Sequence, residues 1–150
     1  MKIPALITLL FLTFSNAFAG EPIPLMLYNW NIVKVIDGDT VKFEAPFLPD
    51  PLKKTLNLRI NGIDTPEKGR RAQCAYEDLM SRKATAFTKE FLKTGDVYIV
   101  LEKWGKFGGR VLGDIIIDDK RLSLALIDAG LARAYDGGKK ESWCENDWRR

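Results

Sequence analysis

A mainly β (α+β) fold is predicted for this chain: a five-stranded barrel of the OB type with two to three packed helices. Three observations predict it. Five short runs alternate apolar and polar positions or are rich in β-branched residues, the pattern of half-buried strands. One longer stretch repeats apolar residues at three and four, the period of a helix packed on one face, and a shorter one ended by a glycine reads as a second helix. Gly, Pro and Asp clusters fall between these runs as turn signals. Antiparallel strands of this number and length close well into a small barrel.

The elements follow in order. Residues 1–19 stand apart: Met1-Lys2 is a minimal basic start, Ile3 to Phe14 a short apolar run, and Ala17-Phe18-Ala19 a small-x-small cleavage site. That is the order of a secretory signal peptide, and the run is short for a membrane span, so an uncleaved anchor is the lesser reading. One domain over 20–150 is expected, secreted or periplasmic, free of the membrane after cleavage, and monomeric. Two prolines make Glu21 to Leu27 a loose leader. Asn31 to Ile36 is a strand stopped by Asp37-Gly38-Asp39, and Thr40 to Glu44 resumes it, which predicts a hairpin. Ala45 to Pro51 carries three prolines and is a loop. Thr55 to Ile63 sets Leu56, Leu58 and Ile60 against Asn57, Arg59 and Asn61, a third strand. After the polar stop Asp64-Thr65-Pro66-Glu67, a helix runs from about Cys74 with Tyr76, Leu79, Met80, Phe87 and Phe91 on its apolar face, capped by Gly95. Val97 to Leu101 and Arg110 to Ile117 are two more strands, and Leu122 to Ala129 is a second helix ended by Gly130.

Composition removes several chemistries. The chain has no histidine, which excludes Ser-His-Asp and Cys-His catalysis and His-based zinc sites. Any catalysis rests on carboxylates, Arg, Lys, Tyr, Ser, or a metal held by oxygen. Without Lys2, 22 basic residues face 20 acidic ones, a balance that permits a polyanionic partner without demanding one. The clusters Lys68, Arg70 and Arg71, Arg82 and Lys83, and Lys139 and Lys140 each read as a solvated face. Cys74 and Cys144, an even count in a chain that carries an export signal, favour a disulfide over two buried thiols. Closing a loop of that size stabilises by roughly 4 kcal/mol on chain-entropy grounds.

Two acidic groups lie at strand ends. Asp37 and Asp39 flank a glycine, and Asp64 and Glu67 flank Thr-Pro. Separately, the first is an ordinary hairpin signal and the second an ordinary helix start. If both turns meet at one barrel end, their carboxylates repel unless a cation sits among them. Calcium and magnesium take hard oxygen ligands of this kind, whereas zinc and copper are poor matches. Arg59, on the polar side of the third strand, and Arg110, opening the fifth, carry forks that fit phosphate oxygens. Alone, either is a surface salt bridge or a solvated strand end.

Val35-Ile36-Asp37-Gly38-Asp39-Thr40-Val41 and Arg59-Ile60-Asn61-Gly62-Ile63-Asp64-Thr65-Pro66-Glu67 resemble signatures of the thermonuclease (staphylococcal-nuclease-like) family. Ala84-Thr85-Ala86-Phe87-Thr88, Gly109-Arg110-Val111-Leu112 and Ala129-Gly130-Leu131-Ala132 follow in the family's order, so the likeness covers residues 31 to 135. The resemblance implies that Asp39 and Asp64 bind metal, with Thr65 lending its backbone carbonyl and Asp37 in the outer shell. It implies that Arg59 and Arg110 are catalytic and that Glu67 orients or deprotonates the attacking water. The implied cofactor is Ca2+, and the implied reaction is cleavage of DNA and RNA to leave 3′-phosphates. Lys106, Phe107 and Tyr135 are expected to contact phosphate and stack bases. The longer loop Ala45 to Leu56 and the extra glycine before Arg110 depart from the family's pattern. The tail falls short of the family's third helix, and the Cys74–Cys144 bridge is expected to anchor it instead.

The expectation is therefore a secreted calcium-dependent nuclease acting on nucleic acid. Its rivals are a non-catalytic OB-fold module that binds nucleic acid or protein, and an exported calcium-binding structural protein.

Overall fold

The computed structural model describes residues 26–144. The expected signal peptide lies outside the described residues. Nine strands, two α-helices and one short 3-10 turn are present among them. They run β1 (Leu27–Tyr28), β2 (Ile32–Asp37), β3 (Thr40–Glu44), β4 (Thr55–Ile60), β5 (Ile63–Asp64), the 3-10 turn Gly69–Arg71, α1 (Ala75–Phe91), β6 (Tyr98–Trp104), β7 (Arg110–Ile117), β8 (Lys120–Arg121), α2 (Leu122–Asp128) and β9 (Arg133–Ala134). No helix among the described residues is long and apolar enough to cross a membrane.

The five long strands are those expected from the sequence. They form one sheet in the order β1-β6-β7-β4-β3-β2, with β8 added to β7. All ladders are antiparallel except that between β4 and β7. The sheet curls in the manner of an OB fold without closing: among the described residues no ladder joins β2 to β6. A groove of about 560 Å³ runs between β2 and the segment leading into β6, where the ends of the sheet stay apart. Register shifts in β2 and in β6 mark the strands that bend most, as bulges do. Four two-residue strands, β1, β5, β8 and β9, add to the expected set.

The alternation in β4 is observed as read: Leu56, Leu58 and Ile60 are buried, and Asn57 and Arg59 face outward. Leu58 and Ile60 join Val41, Phe43, Ile99, Ile115, Leu122 and Leu126 in a single core with almost no exposure. The Asn61-Gly62 step ends β4 earlier than expected, because Gly62 takes a left-handed φ of 75° and redirects the chain into β5.

Helix α1 differs from expectation on its buried side. Leu79 is exposed, and the buried stripe is Glu77, Ser81, Ala84, Thr88 and Phe91. Small residues are needed there because the Asp37-Gly38-Asp39 turn packs directly on the helix. A Cβ on Gly38 would lie 2.7 Å from Ala84 Cβ, and Thr88 Oγ1 donates to the Gly38 carbonyl at 2.6 Å. Gly38 is thus required for close approach and not for a left-handed φ. Nor does Gly95 cap the helix, which ends at Phe91 with Leu92 as its C-cap.

Cys74 and Cys144 form the expected disulfide across 70 positions, tying the start of α1 to the tail. Replacing both by Ser should lower unfolding free energy by roughly 4 kcal/mol, read as a fall in the urea midpoint with a steeper slope, since the unfolded chain loses its cross-link and exposes more surface. An unchanged midpoint would show that the tail is held by its other contacts alone.

Candidate active site

Strand register assembles the outward face. Thr40 pairs with Arg59, which sets Arg59 beside the Asp39 turn. Asn57 pairs with Arg110 in the parallel ladder, so Arg59 and Arg110 rise from the same face of neighbouring strands. The short β5–β9 ladder pairs Asp64 with Arg133 and brings the tail alongside the second acidic turn.

The two acidic turns meet. Asp39 Oδ1 accepts from Arg59 Nη1 at 2.7 Å and from Thr40 Oγ1 at 3.0 Å. Asp39 Oδ2 accepts from the Thr65 backbone N–H at 3.3 Å, a direct bond between the turns. Arg59 Nη2 lies 3.8 Å from Asp64 Oδ1, so one guanidinium spans both aspartates.

Further cations continue the pattern. Lys140 Nζ sits 2.6 Å from Asp64 Oδ1 and 3.1 Å from Glu67 Oε1. Arg71 lies 3.2 Å from Glu67 and 3.7 Å from Asp37. Four carboxylates therefore alternate with three cations: Asp39, Arg59, Asp64, Lys140, Glu67, Arg71, Asp37. The Gly38 turn closes the series into a ring. Two members remain incompletely satisfied, since Asp37 Oδ1 and Asp64 Oδ1 are buried without an aligned hydrogen bond. The Asp64–Lys140 contact is an ion pair rather than a directed bond.

A cleft of about 270 Å³ opens onto this ring, lined by Asp37, Asp39, Arg59, Thr65, Glu67 and Arg110, with Phe107, Tyr135 and Lys140 on its walls. Asp64 borders a neighbouring cleft of about 260 Å³ shared with Glu67, Lys140 and Trp143. Lys140 stands between the two. Arg110 makes no salt bridge among the described residues, and its guanidinium carbon lies 5.5 Å from the centre of the Phe107 ring. Lys106 is exposed and does not line the cleft. No group of three His, Cys, Asp or Glu side chains among the described residues is placed to hold a metal ion.

Asp39 and Lys140 have displaced affinities for protons. Burial pushes Asp39 up to about 6, with the Asp37 charge adding to it, while Arg59, Thr40 and Thr65 pull the other way. Burial works against the charge on Lys140, but Asp64 and Glu67 outweigh it and raise its pKa.

Arg71 and Lys140, read from the sequence as solvated faces, belong to this site, as does Trp143, whose indole N–H donates to Asp64 Oδ2 at 3.3 Å. The signal that could have found them is the disulfide itself. Cys144 fixed beside Cys74 returns the four preceding residues to the helix start, a few residues from Glu67.

The profile of the staphylococcal nuclease homologue family matches residues 57–147. The chain belongs to this family. The matched span includes Arg59, Asp64, Thr65, Glu67, Arg110 and the tail through Cys144, and begins after Asp39. Family membership makes the domain nuclease-like or nucleic-acid-binding. No curated protein matches the chain.

The raised Asp39 pKa has a defined sign in the metal-free protein. Between its ordinary value of 3.8 and about 6 the folded state holds a proton that the unfolded state has released. Stability contributed by protonated Asp39 is therefore lost as pH rises through that window, by about 3 kcal/mol for this group acting alone. Asp39→Asn should remove that slope. Unfolding free energies of wild type and variant, compared below and above the window, should diverge in favour of the variant as pH rises.

Proposed function

We propose that the protein is an exported, calcium-dependent nuclease that hydrolyses phosphodiester bonds of DNA and RNA, leaving 3′-phosphate ends. The observation that carries this reading is the meeting of Asp39, Thr65 and Glu67 with Arg59 and Arg110 in one cleft, from segments far apart in the chain. Family membership supports it at the level of nuclease chemistry.

The donor set fits a hard cation. All candidate ligands are oxygens, and two of the acids carry buried carboxylate oxygens with no aligned hydrogen bond. Asp39, Asp64 and the Thr65 carbonyl would hold calcium, with Asp37 in the outer shell. The chemistry the ion supplies when bound is polarisation of a phosphate oxygen. Arg59 donates through Nη1 to Asp39, while Nη2, 3.8 Å from Asp64 and beyond hydrogen-bond reach of it, would be open to a phosphate oxygen. Arg110, free of acidic partners among the described residues, presents its fork to the same group, and both stabilise the charge that grows during attack. Glu67 takes the proton of the attacking water at its carboxylate, which Lys140 and Arg71 hold in place. Phe107 and Tyr135 offer ring faces to the flanking bases.

The second reading, a non-catalytic nucleic-acid-binding module, is favoured by the acid–base ring, which gives each of the four carboxylates a cationic partner without any metal. Supercoiled plasmid and single-stranded RNA incubated with calcium, with and without chelator, separate the two. Chelator-sensitive cleavage is expected, and intact substrates with calcium present would leave only the binding module.

Arg59→Ala should retain calcium binding and lose on the order of a hundredfold or more in cleavage rate. Equal loss of binding and turnover would instead mark Arg59 as structural. Lys140→Met removes the ammonium that shares Asp64 and should bind calcium several-fold more tightly by calorimetry, since a competing positive charge disappears.

A further inference from the structure

We infer that Trp143 is a positioning residue that fixes the carboxylate of Asp64 for metal binding, an assignment that rests on the calcium reading of the site. Residues 136–141 of the tail are exposed and polar, yet Trp143 is only 6% exposed. Its ring is covered by Arg133, whose guanidinium carbon stands 3.9 Å above the centre, and the same Arg133 donates through Nη1 to the Ser142 carbonyl at 3.0 Å. The next residue is locked to α1 by the Cys74–Cys144 bridge. The indole is thus held on three sides: by a cation over its face, by a bonded backbone before it and by a covalent link after it.

A buried indole N–H needs an acceptor, and this one has Asp64 Oδ2. That bond divides the carboxylate. Oδ2 is committed to the indole, and Oδ1 is left with no aligned hydrogen bond, directed at Lys140 and Arg59, both of which line the cleft that holds Asp39. The backbone adds little to its orientation, because its strand is two residues long and its pairing partner is another two-residue strand. Without Trp143 the carboxylate keeps only its ion pairs to Lys140 and Arg59, which fix no single orientation, and an entropic penalty attaches to presenting one oxygen. Hydrogen bonds from beyond the ligands to metal-binding groups commonly carry tenfold effects on affinity.

The test measures calcium binding by calorimetry on the full disulfide-bonded protein. Trp143→Phe keeps an aromatic ring under Arg133 and removes the donor. Its calcium Kd should weaken about tenfold, opposite in sign to Lys140→Met. Trp143→His, which restores a ring N–H, should recover part of the loss. A role confined to filling space would leave the Kd of Trp143→Phe equal to that of wild type, which would overturn the assignment. Failure of the His variant to bind more tightly than the Phe variant would equally overturn the donor role. If wild type itself shows no saturable calcium binding, the calcium reading falls and this inference with it. If wild type binds and the variants match it, only this inference falls.

Discussion

The site depends on a conflict of like charges. Asp37 and Asp39 are separated by one residue, and the Thr65 N–H bonded to Asp39 carries Asp64 with it. Carboxylates packed this closely and this far from water repel one another, and burial alone disfavours their ionised forms. The bond from Arg59 to Asp39 at 2.7 Å is the first answer to that conflict. It joins the two acidic turns through one planar group, and the β3–β4 register that pairs Thr40 with Arg59 makes it unavoidable. Asp39 nonetheless remains raised to about 6, so the guanidinium offsets only part of the cost of burial. Four carboxylates against three cations also leave the ring one negative charge that its own residues do not balance.

Helix α1 supplies the second constraint. Its buried stripe of Ser81, Ala84 and Thr88 does little for a hydrophobic core. It works as a flat bed for the Gly38 turn, with Ala84 against Gly38 and Thr88 bonded to the Gly38 carbonyl. Larger apolar side chains at these positions would lift the turn and carry Asp37 and Asp39 with it. Glu77 does the same for the second turn, accepting the Glu67 backbone N–H at 3.1 Å and that of Gln73 at 2.7 Å. One helix therefore positions both acidic segments, mostly through polar and small residues.

Much of the fold was legible because it rests on period. The alternation of Leu56, Leu58 and Ile60 located β4 and the outward placing of Arg59, and the spacing of Tyr76 to Phe91 located α1. The candidate site was legible where it is built from turn residues, as with Asp39, Asp64 and Glu67, whose two turns the structure brings together. What was not legible is through-space. A two-residue strand such as β5 or β9 has no period to detect, although the β5–β9 ladder places Asp64 beside the tail. Lys140 and Arg71 look like any solvated charges until the bridge and the register set them against acids. Ser81 and Thr88 carry no apolar signal, so their stripe was hidden behind the more conspicuous Leu79 and Phe87. The open edge of the sheet was equally silent, since alternation describes a strand and not which of its two edges finds a neighbour.

Contacts at the ring join residue 37 to residue 71, and residue 64 to residues 140 and 143. Such wide separations in the chain make these pairings costly in loop-closure entropy. During synthesis from the N-terminus, Asp39, Arg59 and Asp64 all emerge long before Lys140. A polypeptide halted before the tail would already hold its acids and both arginines, yet lack the lysine and indole that complete the surroundings of Asp64. The surroundings of Asp64 are thus complete only once the segment through residue 143 has been made.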